Sequence, residues 1–274
     1  MNLLPYQKWD ATGNDFVVIH EANSPFSADL FPSDLVVRLC DRAQGVGADG
    51  VVILRAPVVS SGPDEMVIWN SDGSRGDMCG NALRCVAMVL SRGSSDLPRQ
   101  VKVGQRLVHT RVDSLESSTV LMGPVAAVGD EPALANLPEL DQIMGGRGYL
   151  LSFGNPHYVV PAEAIPDDWV ARGAEAQAVA HQRLGTGGIN CGFLGTTPDG
   201  EGVFPLCVFE RGVGVTQSCG SGACAASAVL ERRLDIAPPH RLRLPGGVLR
   251  IGRGEAGFEL TGPARLDFEG EWEL

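Results

Sequence analysis

Short runs of β-branched and aromatic residues alternate along this chain with clusters of Gly, Pro, Asp and Ser. The runs at 16–19, 50–54, 66–69, 158–160 and 203–209 each read as a strand. Pro205 inside the last run predicts an edge position or a bulge, because proline cannot donate to a ladder. Helical patterns are fewer, at 33–40, 80–90, 168–184 and 220–233. Segments 80–90 and 220–233 are small or apolar almost all round, which predicts helices buried on every side. Many strands with two buried helices predict sheets curled around central helices.

The pattern also repeats. Gly13-Asn14-Asp15-Phe16-Val17-Val18 recurs as Gly154-Asn155-Pro156-His157-Tyr158-Val159-Val160, an offset of 141 residues. Asp49-Gly50-Val51-Val52 falls against Asn190-Cys191-Gly192-Phe193 at the same offset, and Met78-Cys79-Gly80-Asn81 against Ser218-Cys219-Gly220-Ser221 at 140. Three ordered matches at one spacing indicate duplication. They predict two pseudo-symmetric domains with the active site in the cleft between them. Ser114–Thr119 breaks the pattern and marks the junction, so the expected domains are 1–118 and 119–262, with a last strand at 263–274 returning to the first.

Composition narrows the function. The 274 residues carry 22 Lys+Arg against 33 Asp+Glu, a net charge of −11. Such a chain repels phosphate backbones and anionic lipid, so neither nucleic acid nor a membrane surface is an expected partner. No stretch approaches the ~20 apolar residues of a membrane span. The first residues lack the basic start and apolar run of a signal peptide, so a cytoplasmic protein is expected. Seven cysteines, at 40, 79, 85, 191, 207, 219 and 224, match neither a disulfide framework nor paired CxxC zinc ligands. Lys8 and Lys102 are the only lysines.

Two of the cysteines stand apart. Cys79 and Cys219 occupy equivalent places in the repeats, each before a glycine at the start of a buried helix. A helix N-terminus presents N–H groups without partners and a positive partial charge; it lowers a thiol pKa and attracts a carboxylate. Neighbouring glycines let backbone amides approach a small anion. Cys40, Cys85, Cys191, Cys207 and Cys224 read as small buried hydrophobes. Asn14, Asn70, Asn155 and Asn190 are turn-type residues whose recurrence in the repeats points beyond turns. A lone histidine in a strand, such as His157, is ordinarily a satisfied core residue.

Several motifs together resemble the diaminopimelate epimerase family of cofactor-independent amino-acid racemases. They are Thr12-Gly13-Asn14-Asp15-Phe16-Val17, Cys40-Asp41-Arg42 through Gly45-Val46-Gly47-Ala48-Asp49-Gly50, Asn70-Ser71-Asp72-Gly73-Ser74 and Met78-Cys79-Gly80-Asn81. Gly154-Asn155-Pro156-His157, Glu210-Arg211-Gly212-Val213-Gly214 and Cys219-Gly220-Ser221-Gly222-Ala223-Cys224 complete the set, in family order over nearly the whole chain. The resemblance implies an α+β fold of two pseudo-symmetric domains, each a curled, mainly antiparallel, barrel-like sheet around a central helix, and a homodimer acting in lysine and peptidoglycan precursor synthesis. It implies Cys79 and Cys219 as the acid/base pair. Gly80, Asn81, Gly220 and Ser221 would hold the reacting carboxylate through helix-start amides. Asn14, Asn70, Asn155, Asn190, Glu210 and Arg211 would bind substrate, with His157 and Glu210 tuning the cysteines. Ala82, Ser218 and Ser221 depart from the family's commonest residues, and each change is small.

The chemistry suits these residues. Epimerisation removes a proton from one face of Cα and returns one to the other, so a thiolate and a thiol must share the task as a coupled pair. General acid–base catalysis supplies only ~10²–10⁴-fold, leaving the remainder to dry surroundings and to amides aimed at charge developing on the carboxylate. Pyridoxal phosphate needs a Schiff-base lysine, and neither Lys8 nor Lys102 follows a glycine-rich phosphate cradle. The five histidines form no i,i+4 pair for a metal. No cofactor is expected. The alternative is a two-cysteine racemase of the same superfamily acting on proline, hydroxyproline or histidine. Proline racemases place His after the first Cys-Gly, where this chain has Asn81. A non-catalytic amino-acid-binding relative would have no use for both cysteines.

Overall fold

The computed structural model describes residues 3–57, 59, 62–76, 78–91, 99–128, 132–184 and 187–274. The chain divides into two compact units, Met1–Val120 with Gly262–Leu274, and Leu121–Thr261. The first contains β1 (Leu3–Ala11), β2 (Asn14–His20), α1 (Ser33–Cys40), β3 (Gly50–Arg55), β4 (Asp64–Asn70), α2 (Gly80–Ser91), β5 (Arg99–Val103) and β6 (Arg106–Ser114). Strand β7 (Ser117–Gly123) carries the chain into the second. There follow α3 (Pro138–Met144), β8 (Tyr149–Ser152), β9 (Pro156–Ala162), α4 (Trp169–Leu184), β10 (Asn190–Gly195), β11 (Val203–Glu210) and β12 (Gly214–Val215). Next come α5 (Gly220–Arg233), β13 (His240–Leu244) and β14 (Gly247–Gly254). β15 (Gly257–Pro263) leads back, and β16 (Arg265–Glu273) pairs antiparallel with β1.

Each unit follows the same plan. In the first, strand order is β16-β1-β2-β3-β4-β5-β6-β7, antiparallel except at β2/β3 and β4/β5. In the second it is β8-β9-β10-β11-β13-β14-β15, parallel only at β9/β10 and β11/β13. Parallel neighbours require a crossover, and a helix supplies each one: α1 and α2 in the first unit, α4 and α5 in the second. The internal repeat is therefore a repeat of topology. This is the expected α+β class.

The crossovers fall into two kinds. Helix α1 buries one face, through Leu35, Val36, Leu39 and Cys40, and α4 buries the small residues Gly173, Ala176 and Ala180. Helices α2 and α5 are enclosed. Every residue from Gly80 to Val89 is buried, as are Gly220 and the run from Gly222 to Leu230. An enclosed helix has no polar face, which explains why these two segments lack a hydrophilic stripe.

Pro205 corrects one expectation. It marks neither an edge nor a bulge but the point where β11 changes partner. Val203–Pro205 pairs with β13, whereas Leu206–Phe209 pairs with β10. A residue without an N–H costs little where one ladder ends and the next begins.

Candidate active site

Both sequence-marked cysteines cap a buried helix. The Cys79 carbonyl accepts from Leu83 N–H at 3.0 Å and the Cys219 carbonyl from Ala223 N–H at 2.9 Å, each the first bond of its helix. Each sulfur then folds over its own first turn. Cys79 Sγ accepts from Ala82 N–H at 3.5 Å, whereas the Cys219 side chain makes no such cap bond and lies 3.7 Å from Ser221 Oγ. Cys79 thus receives an amide that the helix cannot satisfy internally. Gly222 makes room: a β-carbon there would lie 3.1 Å from the Cys219 sulfur and 2.9 Å from Val208.

The two sulfurs otherwise have different neighbours. In the first unit, Asn14 Oδ1 accepts from Asn81 Nδ2 at 3.0 Å and lies 4.0 Å from Cys79 Sγ, while Asn14 Nδ2 donates to Asp49 Oδ2. Behind Asn14, Arg42 bridges Asp15 and Asp49, and Lys8 bonds to Asp15 and the Gly47 carbonyl. Lys8 and Arg42 together hold the Asp15 carboxyl below its usual range despite burial. This ionic frame fixes which way the Asn14 amide faces. Asn70 stands apart from it: its Nδ2 donates to Ser74 Oγ at 2.9 Å, in the turn after β4.

In the second unit, His157 Nε2 lies 3.0 Å from both Asn155 Oδ1 and Ser221 Oγ, and Ser221 Oγ lies 3.7 Å from Cys219 Sγ. Burial, aided by the Arg211 charge, lowers the His157 pKa to about 3, so the ring is neutral. Because Asn155 Oδ1 can only accept, Nε2 suits the protonated tautomer, shared between that oxygen and Ser221 Oγ, which leaves the Ser221 hydroxyl hydrogen for the sulfur. Asn190 is buried and braces Arg211, accepting from its backbone N–H at 3.0 Å and donating to the Pro156 carbonyl at 2.9 Å. Glu210 accepts a hydrogen bond from Thr216 Oγ1 and faces Cys219.

One expectation is reversed. A helix start was expected to lower both thiol pKa values, yet that of Cys219 is raised well above the ordinary range. Burial contributes most and the Glu210 carboxylate next, outweighing the Ser221 hydroxyl and the Gly222 amide. At 4% exposure, Cys219 lacks the water that would stabilise its thiolate. Resting Cys219 is a thiol.

The remaining cysteines behave as core residues. Burial raises the pKa of Cys40 and Cys191 to about 12 and pushes Cys85, Cys207 and Cys224 upward, and all seven thiols are free. Lys8 is ion-paired to Asp15 and Lys102 to Glu65. Among the described residues, no three His, Cys, Asp or Glu side chains are grouped to hold a metal ion, and no helix is long and apolar enough to cross a membrane. Asp15, Lys8, Arg42, Asp49, Gly222 and Arg84 belong to the site's framework and were not singled out by sequence. Arg84 carried a signal, as the only charged residue in the otherwise apolar run 80–90.

The buried histidines set an acid limit on stability. His240, like His157, has a pKa lowered by burial; its Nδ1 lies 2.7 Å from Ser227 Oγ. Both bind protons more readily in the unfolded chain, whose pKa is ~6.5, so their contribution is present above that pH and is lost as pH falls towards the folded values. The urea midpoint should therefore fall between pH 6.5 and 5, before most carboxylates titrate. His157→Gln should flatten that limb by about 1–2 kcal/mol over the interval. An unchanged slope would show that His157 accepts a proton in the folded protein.

Each unit pairs a sheet with an enclosed helix that opens on a cysteine, and the comparisons with known proteins place the chain among isomerases of the epimerase class. A solved hydroxyproline epimerase from Agrobacterium vitis shares this fold, with a TM-score of 0.71 at 16% identity, covering 99% of this chain and 91% of that one. The family model described as diaminopimelate epimerase matches residues 6–128 and 149–266. Diaminopimelate epimerase of Microcystis aeruginosa is 32% identical, with 99% of each chain covered. That of Xanthomonas campestris pv. campestris is 34% identical, covering 98% of this chain and 96% of the relative. The chain belongs to the diaminopimelate epimerase family.

Proposed function

We propose that this protein interconverts LL- and meso-2,6-diaminopimelate, with Cys79 and Cys219 as the acid/base pair of one reaction. The observation that carries the reading is the matched placement of the two cysteines, each opening a buried helix whose first backbone hydrogen bond its carbonyl accepts. One cysteine takes the Cα proton as a thiolate and the other returns a proton as a thiol. The amides of Gly80, Asn81, Gly220 and Ser221 stabilise charge developing on the reacting carboxylate. Arg211 and Glu210 read the distal carboxylate and ammonium as charge-assisted pairs, and Asn14, Asn70, Asn155 and Asn190 complete the recognition set.

The two units are taken as the two epimerase domains. The reading includes a homodimer, a cytoplasmic location and catalysis without pyridoxal phosphate. Engagement of both lysines in ion pairs supports the last of these. Dialysed protein with a chelator and no pyridoxal phosphate should convert LL- into meso-diaminopimelate and incorporate solvent deuterium at Cα. Activity only after pyridoxal phosphate or a divalent metal is added would overturn the reading. Exchange with proline or hydroxyproline, but not diaminopimelate, would reassign the substrate.

A further inference from the structure

β2 and β3 run parallel with Phe16 opposite Gly50, which brings Asn14 and Asp15 against Asp49 at the starts of the two strands. Backbone N–H groups there need acceptors, and the two aspartates serve each other. Asp15 N–H donates to Asp49 Oδ2 at 3.1 Å. In return Asp49 N–H donates to Asp15 Oδ1 at 3.0 Å and to the Asp15 carbonyl at 2.9 Å. Arg42 reaches Asp49 Oδ1 at 2.7 Å and the two Asp15 oxygens at 2.9 and 3.0 Å. The buried Lys8 holds Asp15 Oδ2 at 2.7 Å. Asp49 is engaged at both oxygens, which keeps its carboxylate against Asn14.

A carboxamide has two ends of similar shape and opposite hydrogen-bonding character, so its direction is decided by its partners. Asp49 Oδ2 lies 2.5 Å from Asn14 Nδ2, and a carboxylate can only accept, so the NH2 end is drawn to it. The oxygen end faces α2, where it accepts from Asn81 Nδ2 at 3.0 Å and lies 4.0 Å from Cys79 Sγ. Asn81 has the matching polarity, because Arg84 donates to its Oδ1 at 2.7 Å and turns its NH2 towards Asn14. The second unit is built otherwise. Asn190 stands where the repeat places Asp49, and its carboxamide serves the Pro156 carbonyl and the Arg211 N–H. Asn155, the counterpart of Asn14, meets His157. The shared topology forms with a carboxamide at this position, so the charge of Asp49 serves something other than strand pairing.

We propose that Asp49 is a positioning residue: it locks the Asn14 carboxamide with its oxygen towards α2, so that Asn14 accepts from an N–H of the bound amino acid. The proposal rests on the reading of Asn14 as a substrate-binding residue. In the reversed orientation the NH2 groups of Asn14 and Asn81 would face each other, and a substrate ammonium would meet a donor. Asparagine at position 49 favours that reversal. Arg42 keeps the oxygen of the new side chain, so its NH2 faces Asn14 and takes the Asn14 oxygen.

The test is Asp49→Asn in the full chain labelled with 15N-asparagine, read by nuclear magnetic resonance and by kinetics. The Asn14 side-chain signal, assigned by its absence in Asn14→Ala, should carry a downfield proton in the parent, from the bond to a carboxylate, and lose it in the variant. KM for diaminopimelate should rise about tenfold or more, the worth of one hydrogen bond to a charged group, with kcat changed less. Arg42→Gln weakens the frame and leaves the Asp49 carboxylate in place. Its Tm should fall at least as far as that of Asp49→Asn, while its Asn14 signal stays near the parental position and its KM rises less. The exchange of Asn14→Asp with Asp49→Asn restores one donor between the two side chains and an oxygen towards α2. Its KM should return towards the parental value, and it can be compared with Asn14→Asp alone if Asp49→Asn does not fold. An unmoved Asn14 signal or an unmoved KM in Asp49→Asn would overturn the proposal, as would an exchanged pair no better than the single variants. The signal is read without substrate. A parent that failed to epimerise diaminopimelate would thus refute the proposed reaction while the orientation of Asn14 was still measured.

Discussion

Cys79→Ala and Cys219→Ala should each lower kcat for diaminopimelate epimerisation by at least about 10²–10⁴-fold, the range general acid–base catalysis supplies. Each cysteine accepts the first bond of its helix through a backbone carbonyl that alanine retains, so the variants should fold with nearly parental Tm. The defects should differ in kind. Without Cys219, a thiol held protonated by burial and Glu210, the carbanion formed by the remaining base lacks its donor. Solvent deuterium exchange at Cα should then persist longer than epimerisation for the stereoisomer that Cys79 deprotonates. Cys→Ser variants should retain slow one-sided exchange, because a hydroxyl donates well and accepts a carbon-bound proton poorly. Near-parental epimerisation in either alanine variant would remove that cysteine from the mechanism.

Arg211→Lys should raise KM for diaminopimelate by an amount equivalent to about 1.5–3 kcal/mol, with kcat changed far less. The backbone N–H of Arg211 is pinned by Asn190, and its stem lies along Gly188, where an added β-carbon would come 3.5 Å from Arg211 Cγ. Gly188 has φ +104°, a conformation that excludes most side chains and keeps this passage open. A lysine can follow the same path but offers one ammonium instead of a planar fork, so a bidentate carboxylate contact is lost. An unchanged kcat/KM would mean that another residue reads the distal head. Because the Arg211 charge also helps keep His157 neutral, the acid limb of the kcat profile provides a second readout, and the conserved charge of lysine should leave it in place.

Much of the architecture was legible in the chain because its signals are local or periodic. The 141-residue repeat corresponds to a repeated order of parallel and antiparallel pairings. The apolar runs at 80–90 and 220–233 are helices enclosed by sheet. The helix-start positions of Cys79 and Cys219 could also be read, since each stands immediately before a glycine that opens such a run. Pro205 shows the limit of local reading. Its missing donor signalled an interruption, but whether that meant an edge, a bulge or an exchange of partner depended on β10 and β13.

The order of the residues alone established the duplication, the two capping cysteines and the shortage of lysine, because those features need only composition, spacing and helix-start chemistry. Folding decided how each sulfur behaves. Burial first, and then Glu210, which lies nine residues before Cys219 and is turned against the thiol by β11, reverse the shift expected from the helix dipole. Asn190 braces Arg211 across twenty-one residues of chain. Arg84 acquires its meaning from acceptors on β1, the following turn and the end of β15. Burial and charge pairing depend on distance in space, so two equivalent Cys-Gly steps acquire different neighbours, Asn14 beside one sulfur and Glu210 and Ser221 beside the other.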